Sequence, residues 1–202
     1  MPLLINRQNC LDIYKKSPQS DPERDLFFYP KTFRNYILAL HSKSIKGHAK
    51  QLGIEVSMLA TALPDVDKLF FLGNTATTWR NQDNDYKPVK EALQYLEDQN
   101  IEKTFDGAIM VTLTELPLFI KHLFWLTRCN ASLPDFHFMD TAQNYLGNIC
   151  KYGNLHISAM SNVAGKHLIE AIGNSKFVDV TDEKCYNRFG KTSIIAHRQL
   201  IV

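Results

Sequence analysis

Beyond about residue 64, short apolar runs alternate with longer stretches whose apolar residues recur every three or four positions. That texture predicts strands interleaved with helices. The runs 69–72, 108–113, 136–139, 155–159 and 177–180 read as strands, with a last strand over 193–202. Helices are predicted over 88–99, with Val89, Leu93 and Leu96 on its buried face, and over 115–128, which is apolar nearly all round and therefore covered. Two more are predicted over 142–151 and 162–172. The first 64 residues read differently. A short apolar-periodic piece, 10–16, meets the breaker cluster Ser17-Pro18-Gln19-Ser20-Asp21-Pro22. The stretch 32–63 then reads as helical, with Phe33, Tyr36, Ile37 and Leu40 on one face and Gly47 and Gly53 dividing it.

These elements predict an α/β fold with a mixed sheet of about five or six strands and packed helices over 65–202. A mostly helical segment, 1–64, precedes it within one compact unit, and α+β is the alternative class. The sheet is read as mixed because 101–105, Asp106-Gly107 and 108–113 resemble an antiparallel hairpin with a two-residue turn. Several strands alternate polar with apolar positions, as in Leu155, His156, Ile157, Ser158 and Ala159. One sheet face is therefore expected to be partly open or to line a groove.

Composition narrows the function classes. The 202 residues are 45% apolar and 22% charged with a formal net charge of +2, which excludes a disordered tail or an acidic activation segment. Lys121 and His122 interrupt the most apolar stretch, so no membrane crossing is expected. The first residues lack the long apolar region of a secretory signal. Cys10, Cys129, Cys150 and Cys185 are far apart with no C-x-x-C pair, so they read as reduced, packed thiols in a cytoplasmic protein, with no metal site signalled. A slight basic surplus in the first sixty residues hints at an anionic partner, but nucleic-acid binders concentrate far more charge on one face.

Candidate chemistry begins with position. If the strands run in parallel, the chain leaves their carboxyl ends through Asn74, Thr75, Asp140, Thr141, Ser161 and Asn162, where open α/β sheets bind ligands. In that arrangement Asp140 is the acid or base, Asn74, Thr75 and Thr141 contact a polar or phosphorylated molecule, and Ser161, Asn162 and Lys166 hold its anionic group at a helix N-terminus. The same residue types are the preferred N-caps of the helices that follow. His137 and His156, each near mid-strand, fall on one face near Ser158 if their strands are neighbours; such a pair shuttles protons or begins a metal site but lacks a third ligand.

The segment Ala49-Lys50-Gln51-Leu52-Gly53-Ile54, with Ser57, Leu59 and Leu63, resembles the helix-turn-helix of bacterial regulators. Separately, Val89-Lys90-Glu91-Ala92-Leu93 with Leu96 and Glu97, followed by Asp106-Gly107, resembles the recognition helix and wing of winged-helix regulators. The resemblance implies a DNA-binding regulator. Its recognition helix would present Met58, Ala60 and Thr61, none of which reads a base edge bidentately, and Asp65 and Asp67 follow to repel phosphate.

In the polar loop 73–86, Trp79 and Tyr86 stand among Thr, Asn, Gln and Asp. Exposed aromatics of this kind suit partner recognition, whereas a buried Trp79 would belong to the core. The leading expectation is a cytoplasmic binding or interaction protein, acting through this loop and the semi-polar sheet face on an unknown protein or a polar small molecule. The alternatives are an enzyme on a polar or phosphorylated small molecule and a DNA-binding regulator. The residues specify no cofactor.

Overall fold

The computed structural model describes residues 2–183, apart from 22 and 25, together with 185 and 186. The strand expected over 193–202 lies outside the described residues. In chain order the elements are β1 (Leu3–Ile5), α1 (Arg7–Ile13), β2 (Gln19–Asp21), β3 (Leu26–Phe28), β4 (Arg34–Ala39), α2 (Ile45–Ala62), β5 (Lys68–Gly73), α3 (Lys87–Asp98), β6 (Ala108–Thr112), α4 (Leu116–Cys129), β7 (Phe136–Asp140), β8 (Tyr145–Ile149), β9 (Leu155–Ala159), α5 (Asn162–Gly173) and β10 (Val178–Asp179). The α/β class is as expected. Among the described residues the main sheet is larger than expected, with eight strands in the order β1-β6-β5-β7-β8-β9-β4-β10, and β2 and β3 form a separate hairpin.

Every neighbouring pair in the sheet is antiparallel. This corrects the expectation of a mixed sheet, and the physical reason lies in two misread segments. Residues 142–151 read as a helix, yet Tyr145, Gly147 and Ile149 face the main core as β8, which turns straight back from β7. The spacing of Phe33, Tyr36, Ile37 and Leu40 fits a helix face, but Tyr36, Leu38 and Leu40 alternate inward as β4 and its continuation, pairing with β9. The Asp106-Gly107 hairpin is also absent, because β6 pairs with β1 and β5 and not with 101–105. Gly107 is instead a point of close approach, where a Cβ would strike the Ile5 carbonyl oxygen.

α2 runs unbroken from Ile45 to Ala62, so the turn that the helix-turn-helix resemblance requires does not exist. Gly53 lies in mid-helix, where a side chain would collide with the Pro117 carbonyl; its role is to let α4 approach. Ser44 starts α2 by accepting the Gly47 N–H at 3.1 Å. Prolines in the first turns of α3 and α4 occupy positions with no helical acceptor to lose.

The helices α2 to α5 bury the larger core on one face of the sheet, built from Leu69, Phe71, Ile109, Val111, Phe138, Leu155 and Ile157 beneath Leu52, Val56, Phe119, Ile120 and Leu168. α1 covers part of the other face, where Cys10 and Tyr14 pack on Phe70, Leu72, Met110, Met139 and Leu146. Tyr14 stacks on Phe70 with ring centroids 4.1 Å apart. Beyond α1 this second face turns polar. Strand register places His137 opposite Asn148 and Asn148 opposite His156, so both histidines share a row with β8 between them.

No helix among the described residues is long and apolar enough to cross a membrane.

Candidate functional site

Antiparallel pairing separates the residues that a parallel sheet would have gathered. Asn74 and Thr75 follow β5 at the end where Gly73 pairs with Phe136. Asp140, Thr141, Ser161, Asn162 and Lys166 lie at the other end of β7, β8 and β9, about 13 Å away along a five-residue strand.

At that second end the polar groups are engaged in closing turns. Asp140 is buried, and its Oδ1 accepts the N–H groups of Asn144 at 2.8 Å and Tyr145 at 2.7 Å. Burial raises its pKa above the usual carboxylate value against these hydrogen bonds, while Oδ2 has no partner. It faces the helix-covered core rather than a cleft. The tentative catalytic assignment of Asp140 is thereby replaced by a turn-forming role. Ser161 caps α5, with Oγ accepting the Ala164 N–H at 3.1 Å; Asn162 and Lys166 are exposed on that helix and Thr141 is half-buried.

Trp79 is 1% exposed. Its ring stacks on Phe136 with centroids 3.9 Å apart, and its indole N–H donates to the Gly107 carbonyl at 2.8 Å. The expectation of an exposed indole anchor is corrected: the polar loop folds over the core with its tryptophan inward. Tyr86 is half-buried as the residue preceding α3, with its ring edge-to-face on Trp125.

A cleft of about 540 Å³ opens at the Asn74 end. Its walls are Asn74 and Thr75, the 130–135 connection with Asp135, and the 150–152 turn with Lys151. The floor brings together Cys150, His156 and Cys185. Cys150 follows β8 directly, and its N–H donates to the Asn154 carbonyl, closing a tight turn into β9 that sets Cys150 near His156. Gly153 in that turn has φ +82°, and a Cβ there would lie 2.6 Å from His48 Nε2, so backbone and packing both demand glycine. The turn is tied to the helices by His48, whose Nε2–H donates to the Gly153 carbonyl at 2.9 Å, and by Arg128, which donates to the Lys151 carbonyl at 3.1 Å.

Cys185 comes from the segment after β10. Asn154, 1% exposed, donates through Nδ2 to Cys185 Sγ at 3.0 Å and to the Tyr186 carbonyl at 3.3 Å, which fixes that segment against β9. Sγ of Cys185 lies 3.4 Å from Sγ of Cys150 and 3.5 Å from His156 Nε2. Hydrogen bonds from Cys150, His156 and Asn154 push the Cys185 thiol below its ordinary pKa, and the Cys150 thiol is raised by its bond to Cys185 and by burial. His137 is drawn below its ordinary value by burial; it stands in the same sheet row, with Nδ1 near the Asp135 carbonyl, and Tyr29 meets it edge-on.

Among the described residues these three are the one set of His, Cys, Asp or Glu side chains whose donor atoms lie within 4.8 Å of one another. The sequence reading kept the cysteines apart because 35 residues separate Cys150 from Cys185. The only linear signal was Cys150 and His156 on either side of a Gly-Asn turn, which becomes visible once β8 is read as a strand. Compared with protein family models, curated proteins and solved structures, the chain matches none.

Proposed function

We propose that the chain binds a small polar molecule in the cleft between the 130–135 connection and the 150–152 turn. The observation that carries this reading is the convergence of polar and ionisable side chains, Asn74, Asp135, Lys151, His156 and two thiols, on one cleft of about 540 Å³. That size is within the range of small-molecule sites, and a few convergent polar groups in a shaped hollow are their usual chemistry. The backbone of Asn74 is fixed at the cleft wall, its N–H donating to the Asp135 carbonyl and its carbonyl accepting from the Ser20 N–H. A binding role is thus kept, and moved from the aromatic loop to the cleft that Asn74 and Thr75 border. Four cysteines dispersed along the chain with no C-x-x-C pair fit a reducing, cytoplasmic setting.

Filling the cleft tests the proposal. Ala131 lines it and is exposed, so Ala131→Trp obstructs the mouth without touching the core. Native mass spectrometry of gently purified protein is expected to show a small-molecule adduct on the wild type that is lost in Ala131→Trp at unchanged circular dichroism. A bare wild-type chain, or an adduct indifferent to the substitution, overturns it.

A further inference from the structure

We propose that Cys150, His156 and Cys185 form a binding site for a zinc-class divalent ion, with a fourth coordination position open to the cleft. The inference rests on the cleft reading for its ligand class; the metal assignment itself rests on the geometry of the three donors.

Tetrahedral zinc takes sulfur at about 2.3 Å and imidazole nitrogen at about 2.0 Å, so its sulfur–sulfur edge is about 3.8 Å and its sulfur–nitrogen edge about 3.5 Å. The protein presents two edges of 3.4 and 3.5 Å at Cys185 Sγ and holds all three donor atoms within 4.8 Å of one another. Side-chain adjustment within that sphere would complete three corners of that tetrahedron. The donor types agree as well, because two thiolates and one imidazole select a borderline-soft ion over magnesium or calcium. A bare dithiol explains less. The two sulfurs alone could form a disulfide, but nothing in such a pair requires an imidazole within the same 4.8 Å sphere. Asn154 supplies the outer support expected around a metal thiolate, holding Cys185 Sγ while anchoring the neighbouring Tyr186 backbone.

The charge balance is simple. Each thiol releases its proton to solvent as it coordinates, so a dication, two thiolates and a neutral imidazole sum to zero, and no electron transfer is involved. All three donors border the cleft, which leaves the fourth corner for a water molecule or a small oxygen- or nitrogen-donor ligand entering there. Three protein ligands with one open position is the arrangement that activates or holds a ligand, in contrast to closed four-ligand structural sites. The ligand class is therefore a small Lewis base, such as a carboxylate.

The test uses the full chain, reduced, stripped with a chelator, given one equivalent of zinc and desalted. The expectation is about one zinc per chain, with X-ray absorption showing sulfur near 2.3 Å. Retention is expected to fall at least tenfold in Cys150→Ser and in Cys185→Ser. Those variants could misfold, so the unaltered protein is also titrated with cobalt. Thiolate-to-cobalt charge transfer together with intense tetrahedral visible bands is expected, and azide should shift those bands through the open position. Wild-type protein that retains no zinc, variants that retain as much as wild type, or weak octahedral cobalt bands without charge transfer overturn the metal site. Bands unmoved by azide overturn its open corner. The two readings fail separately. Zinc retention without any native-mass adduct removes the cleft ligand and leaves the metal; an adduct that survives on a chain unable to hold zinc removes the metal and leaves the cleft.

Discussion

At one end of β7, β8 and β9 stand Asp140, Asn144 and Ser161; at the other stand Asp135, Asn154, Cys150 and His156. Both ends are polar, and both connect strands by short turns, but their side chains are used differently. Asp140 spends its Oδ1 and Ser161 its Oγ on backbone N–H groups of their own connections. At the opposite end the turn is held mainly by backbone bonds and by His48 and Arg128 from the helices, leaving Cys150 and His156 to face one another and Cys185. The difference teaches that a polar residue at a strand end becomes available for ligand chemistry only when something else closes the turn.

The largest expected effect that would break this comparison is at Asp140. Asp140→Ala strips the acceptor from two backbone N–H groups, and losing such partners typically costs about 1–3 kcal/mol. Urea denaturation should register that loss while zinc retention at the opposite end stays at the wild-type level; lost retention at unchanged stability would reverse the assignment of the two ends. Asp140→Asn refines the point through pH. Because burial raises the folded-state pKa above the unfolded value of about 3.8, the wild type loses stability as pH rises through the folded-state pKa, since the unfolded chain gives up its proton first. The Asn variant should lack that part of the slope in melting temperature between acidic and neutral pH.

The next effect is at the other end. Asn154→Ala removes the donor that holds Cys185 Sγ, and outer supports of this kind typically contribute about 10–100-fold in metal affinity. Zinc competition with a chromophoric chelator measures it; unchanged affinity would mean that Cys185 is positioned without Asn154. The smallest is Ser161→Ala, expected to cost about 1 kcal/mol in denaturation as a lost helix cap, with no change in cleft occupancy by native mass spectrometry. A loss of ligand there would restore the anion site expected from sequence.

Much of the fold was legible in the chain. The buried runs of β5, β6, β7 and β9 and the faces of α3, α4 and α5 announce themselves, because strong apolar periodicity survives any topology. β4 and β8 were hidden for opposite reasons. Tyr36 and Leu40 satisfy both a helical and an alternating spacing, whereas Tyr145 to Ile149 is diluted by Gly147 and Asn148, which a strand tolerates where a neighbouring ring fills the space above it. Phe138 does this over Gly147, where a Cβ would meet its ring. Missing these two strands was enough to lose the antiparallel direction, and with it the correct pairing of ends. The cluster on the cleft floor was illegible for a further reason. Its third member, Cys185, joins through long-range packing against Asn154, which no local pattern encodes.

The placement of β4 also dictates when the molecule can be finished. It is synthesised early, yet its partner is β9, and the Ser158–Asn35 contact closes a separation of 123 residues. Bringing such distant strands together requires ordering a long loop before any pairing energy is gained, which slows folding in proteins dominated by non-local contacts. On the ribosome β4 must wait, unpaired on the edge that β9 will occupy, until residues 155–159 have emerged. The turn carrying Cys150 and His156 is made in the same late interval, so the metal donors come into register only as the sheet closes.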